Sequence, residues 1–190
     1  SISGIKINPF EIGKGKHVVC TNKRGKVIGD GIALRLSEDT FRISGGPNFV
    51  EWIDFCLRKA GRWNVTSNIC SDDYFVFQVQ GPTSIDILEA LVNESLRDIS
   101  YMYAKEVEIC GIKVLALRQG MSGNIGFELQ GPSDKGVEIF NAILECGQKF
   151  GGVTKVGNAA KGVMHVEACF PTASWDYTPA IFDEDDELAK

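Results

Sequence analysis

Tyr74–Val92, YFVFQVQGPTSIDILEALV, holds the pattern that decides the fold. Phe75, Phe77 and Val79 alternate with Val76, Gln78 and Gln80, which is the two-residue period of a strand. Gly81-Pro82 stops that period, and Pro82 suits the first turn of a helix. Beyond it Ile85, Ile87, Leu88 and Leu91 supply one apolar helix side. The phrase returns at Phe127–Phe150, FELQGPSDKGVEIFNAILECGQKF, where Gln130-Gly131-Pro132 again closes a strand and opens a helix. There Val137, Phe140, Ile143 and Leu144 form the expected stripe. Strands followed by a helix, twice over, imply an α+β fold with largely antiparallel sheets, packed helices and two similar half-units.

Toward the amino terminus, an irregular start containing Gly4, Pro9, Gly13 and Gly15 leads into a strand at HVVCTN. NKRGK has the chemistry of a hairpin turn, and VIGDGIALRL is the returning strand. Its alternation puts Asp30 among Ile28, Ile32 and Leu34, an apolar face where a charge needs a partner. TFRIS is a third strand of the meander. Pro47 then opens a helix whose stripe is Phe49, Trp52, Ile53, Cys56 and Leu57. Further strands are expected at RWNVTSNIC, at AKEVEIC and IKVLALRQ joined through Gly111, and near GVTKV, with a last helix over NAAKGVMHVEACF. Residues 1–170 read as one core, incomplete at its amino terminus, and 171–190 as an extended arm with an acidic end.

The 190 residues are 44% apolar and 24% charged, the profile of an ordinary globular chain. Net charge is −5 with lysine and arginine scattered, so nucleic acid is not an expected partner. The six cysteines are widely spaced, with no C-x-x-C pair and two histidines in the whole chain, which excludes the usual zinc patterns. HVVC, VEIC and VEAC place thiols at the ends of apolar runs, as small buried hydrophobes of a reduced, cytoplasmic protein. No apolar stretch approaches the ~20 residues that span a bilayer, and no signal-peptide pattern opens the chain, so no membrane is expected.

Four segments in order resemble the T protein of the glycine cleavage system and its relatives: TNKRGKVIGDGI, FVFQVQGP, GMSGNIGFELQGP and VGNAAKGVMHVEACF. Within that family VIGDGI, FQVQGP, LRQGMSG and NAILECGQKFG look most like tetrahydrofolate-dependent aromatic O-demethylases. The resemblance implies a folate-binding domain, tetrahydrofolate as cofactor, and a small-molecule methyl or aminomethyl donor. It also implies missing domains of a longer chain, because family members have segments on both sides of this region. A non-catalytic folate-binding or regulatory module stays open as the alternative.

The resemblance points to Glu128 as the carboxylate that accepts the paired N–H groups of a pterin. Asp30 falls on the strand that carries an acidic residue near the reacting folate nitrogen; Gly29 stands where the family often has a second aspartate. Gly29 and Gly31 suggest room for a ligand against the backbone. Gly120, Ser122 and Gly123 would let a loop close over the pterin. Gln78 offers an amide to substrate or folate, and Lys161 could meet a ligand carboxylate. Lys161 stands where the T protein has arginine and the aromatic demethylases have tyrosine. Glu167 reads as structural, and Trp175 and Tyr177 as a surface for a further domain.

Overall fold

The computed structural model describes residues 10–183. The irregular start read at Gly4 and Pro9, and most of the acidic end, lie outside them. The chain forms two compact units: one from the described residues up to Ile69 with those from Pro171 onward, the other Cys70–Phe170.

The first unit is a three-stranded antiparallel meander in chain order: β1 (Gly15–Thr21), β2 (Val27–Arg35) and β3 (Phe41–Gly45). Asn22 makes the first hairpin, its side-chain oxygen accepting from the backbone N–H groups of Arg24 at 2.9 Å and Lys26 at 3.0 Å. Such a loop is a turn mimicked by a side chain. The register runs from Gly15↔Leu34 to Cys20↔Gly29 and shifts at Cys20/Thr21. Helix α1 (Pro47–Ala60) starts at its proline and lays Phe49, 1% exposed, on the sheet against Ile28 and Cys20.

The glycines of β2 and β3 exist for that ring. A Cβ on Gly31 would stand 2.5 Å from the Phe49 ring and 2.3 Å from the Ser44 carbonyl, and one on Gly45 would be 2.7 Å from the same ring. A Cβ on Gly29 would meet Phe49 at 3.1 Å. The room read beside Gly29 and Gly31 is therefore filled by a core phenylalanine, and Ala180 and Ile181 complete the cluster. Cys56, expected in the buried stripe, is exposed.

The second unit is a four-stranded antiparallel sheet ordered β4-β7-β6-β5: β4 (Tyr74–Gln80), β7 (Gly126–Pro132), β6 (Ile112–Arg118) and β5 (Ala104–Ile109). Both QGP phrases lie in this unit, at opposite ends of the β4–β7 ladder. Cys110 and Gly111, both at positive φ, make the tight β5–β6 turn, the geometry that suits a two-residue hairpin. One sheet face carries Phe75, Phe127, Leu129, Val114 and Val107 against α2 (Ser84–Val92) and α3 (Gly136–Gly147). The other carries Val76, Gln78, Glu128, Gln130, Leu115 and Leu117. A last helix, α4, spans Asn158–Glu167.

Four expectations change. Residues 62–70 form no strand, and Trp63, Val65 and Ile69 are each more than half exposed. Alternation becomes a strand only by pairing, and this segment pairs with no strand among the described residues; Ser67 instead bonds Asp54 of α1. No strand forms at 152–156, because Gly151 and Gly152 both turn left-handed, φ 93° and 97°. Val137 is 75% exposed, while Ile139, Ile143 and Cys146 face the core, so the buried stripe of α3 is rotated from the one expected. Cys110 and Cys169 are exposed, each in a turn at positive φ.

Candidate functional site

The second sheet face concentrates its polar side chains around Glu128. Register places Gln78 of β4 opposite Glu128 of β7, and Glu128 opposite Leu117 of β6. Gln119, 5% exposed, follows β6 and reaches back over this pair. Its Nε2 donates to Glu128 Oε2 at 3.0 Å and to Gln78 Oε1 at 3.0 Å. Gln78 Nε2 returns a bond to the Gln119 carbonyl at 2.9 Å. Gln130, 4% exposed, donates to the other carboxylate oxygen, Glu128 Oε1, at 2.6 Å. Each oxygen of Glu128 is thus held by one amide, and the plane of the carboxylate is fixed. Bonds to a charged acceptor are the stronger kind. A carboxylate has about four lone-pair positions, so each oxygen retains acceptor capacity.

The loop after β6 is tied to the same strand, with the Met121 N–H donating to Gln80 Oε1 at 2.9 Å. Gly120 is required by the loop itself, since a Cβ there would lie 2.3 Å from the Asn124 carbonyl. Ser122 is half-buried, and Gly123 takes φ +75°. The structure therefore brings Gln78, Glu128, Gly120, Ser122 and Gly123 to one region of sheet and loop. Lys161 stands exposed on α4, makes no ion pair among the described residues, and is not part of this network. Glu167 is exposed at the end of the same helix.

Asp30 belongs to the first unit and has partners of its own. His17 Nε2 lies 2.7 Å from Asp30 Oδ2, a diagonal pair across β1 and β2. The Tyr177 hydroxyl donates to Asp30 Oδ1 at 3.1 Å. The His17 hydrogen bond holds the Asp30 carboxyl below the ordinary carboxylate value, aided by Tyr177 and opposed by burial. Burial and the neighbouring Asp30 push the Tyr177 phenol up to about 12. Trp175, two residues before it, is 60% exposed.

Sequence reasoning did not single out Gln119, Gln130 or His17. Gln130 was legible, because residues two apart on a strand share a face and the FELQ strand contains Glu128 and Gln130. Gln119 and His17 depend on strand register, which no local pattern states.

The fold and these groups define an α+β domain with two antiparallel sheets, one carrying a braced carboxylate beside a glycine-rich loop. Residues 1–185 match the model of the GCVT N-terminal domain, and the chain belongs to that family. It is similar to a sesamin methylene transferase from Sinomonas sp., 34% identical over 95% of this chain and 38% of that protein. It is also similar to a syringate O-demethylase from Sphingobium sp., 32% identical over 80% of this chain and 34% of that protein. The solved glycine cleavage system aminomethyltransferase T from Bartonella henselae shares the fold, with a TM-score of 0.75, 19% identity, and coverage of 97% of this chain and 51% of that one. The chain thus spans little more than a third of the length of these two curated relatives. Among the described residues, no helix is long and apolar enough to cross a membrane, and no group of acidic, histidine and cysteine side chains could hold a metal ion.

Proposed function

We propose that this chain is the tetrahydrofolate-binding part of a one-carbon transferase, which passes a methyl or aminomethyl carbon from a small-molecule donor to a folate nitrogen. The observation that carries the reading is the bracing of Glu128 by Gln119 and Gln130. A pterin presents a ring N–H and an amino group side by side, and a carboxylate of fixed plane with one acceptor position left on each oxygen matches that edge. The names of the relatives support it, since they refer to the transfer of a methylene, the removal of a methyl and the transfer of an aminomethyl group.

In this reading Glu128 holds the pterin edge and Gln78 keeps Gln119 in line. Gly120, Ser122 and Gly123 form the loop beside the ring, and Lys161 offers its charge to a ligand carboxylate. The folate supplies the nucleophilic nitrogen that accepts the carbon. Asp30, held ionised by His17 and Tyr177 in the first unit, is a fixed negative charge and hydrogen-bond acceptor of the kind that steers protonation at an amine nitrogen. Orientation of donor and acceptor does the rest, and no nucleophilic side chain is needed. Six free cysteines suit a reducing, cytoplasmic setting.

The test is a calorimetric titration of the chain with tetrahydrofolate beside Glu128→Ala. Saturable binding that the substitution abolishes is expected. Absence of binding, or binding that the substitution leaves intact, contradicts the proposal.

A further inference from the structure

A pocket of about 330 Å³ opens in the second unit, lined by Tyr101, Arg118, Gln119, Gly120 and the loop from Gly123 to Gly126. That volume is at the lower end of small-molecule sites, ~300–1,000 Å³. One formal charge lines it, the Arg118 guanidinium, and no aspartate or glutamate does. Arg118 donates from Nη1 to the Ile99 carbonyl at 2.6 Å, which fixes the direction of the side chain without neutralising it. Among the described residues no carboxylate pairs with it. A half-buried cation without a counter-ion has lost hydration and gained no opposite charge, so an anion entering the pocket gains on both counts.

The walls narrow the class of anion. A guanidinium has five N–H donors, and one bond to Ile99 leaves enough for a two-point contact with a planar carboxylate. A phosphate dianion is ordinarily met by more than one cation or by a helix amino terminus, and neither lines this pocket. Tyr101 stands at the pocket with 68% of its surface exposed, a flat apolar face for the body of a ligand. At the end of the loop Gly126 packs directly on β4, where a Cβ would lie 2.7 Å from the Gln80 Cβ.

We propose that this pocket is a binding site for a small carboxylate with a flat apolar body, anchored by Arg118 and covered by Tyr101. It adjoins the Glu128 network through Gln119 but has the opposite charge preference, and it does not depend on the folate reading. The carboxylate could be the tail of a folate or a separate acid, and the two sources are separable.

The experiment is a nitrogen-15 NMR titration of the folded chain with benzoate as probe and benzyl alcohol as its uncharged counterpart. Benzoate is expected to shift the amides of Gly120, Gly123 and Asn124 to saturation, and benzyl alcohol to bind at least about tenfold more weakly. Arg118→Lys, which keeps the charge but loses the fork, weakens benzoate about tenfold. Tyr101→Ala, a change at the surface, weakens it several-fold with the fold intact. Displacement of benzoate by tetrahydrofolate but not by tetrahydropterin, which lacks a carboxylate, assigns the site to the folate tail. Displacement by neither assigns it to a separate acid. Absence of saturable benzoate shifts, equal binding of benzyl alcohol, or unchanged affinity in both Arg118→Lys and Tyr101→Ala overturns the proposal, whatever the result with tetrahydrofolate.

Discussion

Gln119 Nε2 lies 3.0 Å from Glu128 Oε2, and the same nitrogen lies 3.0 Å from Gln78 Oε1, so one buried amide links two strands that are not chain neighbours. Removing it leaves a carboxylate oxygen and an amide oxygen short of a donor. Gln119→Leu is expected to cost about 1–3 kcal/mol of stability in urea unfolding. It is also expected to weaken tetrahydrofolate binding, since the Glu128 plane is then held from one side. Gln119→Glu sets a second negative charge beside Glu128 and should be the worse of the two.

Asp30 makes acid stability a readout of its two partners. Its carboxyl is depressed by the His17 bond first and Tyr177 next, so the folded state binds the proton less readily than the unfolded state. The stability it contributes is complete above the ordinary aspartate pKa of about 4 and is lost as the pH falls through the lower folded value. Urea midpoints measured from neutral pH down to about pH 3 should fall further for the wild type than for Asp30→Asn. His17→Phe and Tyr177→Phe should each shrink that difference. A wild type and Asp30→Asn that lose stability in parallel would show that the carboxyl is not depressed.

The glycines of the first sheet are a packing requirement. Gly31→Ala drives a methyl to 2.3 Å from the Ser44 carbonyl and 2.5 Å from the Phe49 ring. Neither atom is the free end of a flexible chain, and overpacking of this kind costs about 1–3 kcal/mol. Gly46→Ala meets nothing within 4 Å, loses only a favoured residue at the start of α1, and is expected to cost less than Gly31→Ala, under about 1 kcal/mol. Thermal unfolding of the two variants separates them.

Thiol accessibility checks the burial pattern. Cys56, Cys110 and Cys169 are exposed and should react quickly with an aromatic disulfide reagent in the native state. Cys20 and Cys146 are buried, and burial first, with Cys56 nearby, raises the Cys20 thiol to about 11. Both should react only on unfolding.

Much of this was legible in the sequence where a short period and its stop signal coincide. The β4 strand, its Gly81-Pro82 end, α2, and the hairpin around Asn22 and Gly25 follow from alternation, helix starts and turn chemistry. The failures share a cause. Trp63 and Val65 alternate like a strand, but a strand is a pairing, and this segment pairs with no other among the described residues. Val137 has the right residue type for a core, yet the docking of α3 turns Ile139 and Ile143 inward instead. Gly29 and Gly31 suggested space for a ligand, and that space belongs to Phe49, a contact between segments some twenty residues apart. Among the candidate site residues, the carboxylates Glu128 and Asp30 could be picked out by residue type and strand position, while most of their partners could not. The braces that fix them, Gln119 and His17, are set by register.

The central claim is that the Glu128 carboxylate reads the paired N–H groups of a pterin, and the most direct measurement compares tetrahydropterin with its 2-desamino analogue on the wild type and Glu128→Gln. The account predicts that the wild type prefers the complete pterin by about tenfold or more, the worth of one charge-assisted hydrogen bond, and that Glu128→Gln loses most of that preference. Equal affinity of the wild type for the two ligands, or an unchanged preference in the variant, would contradict it.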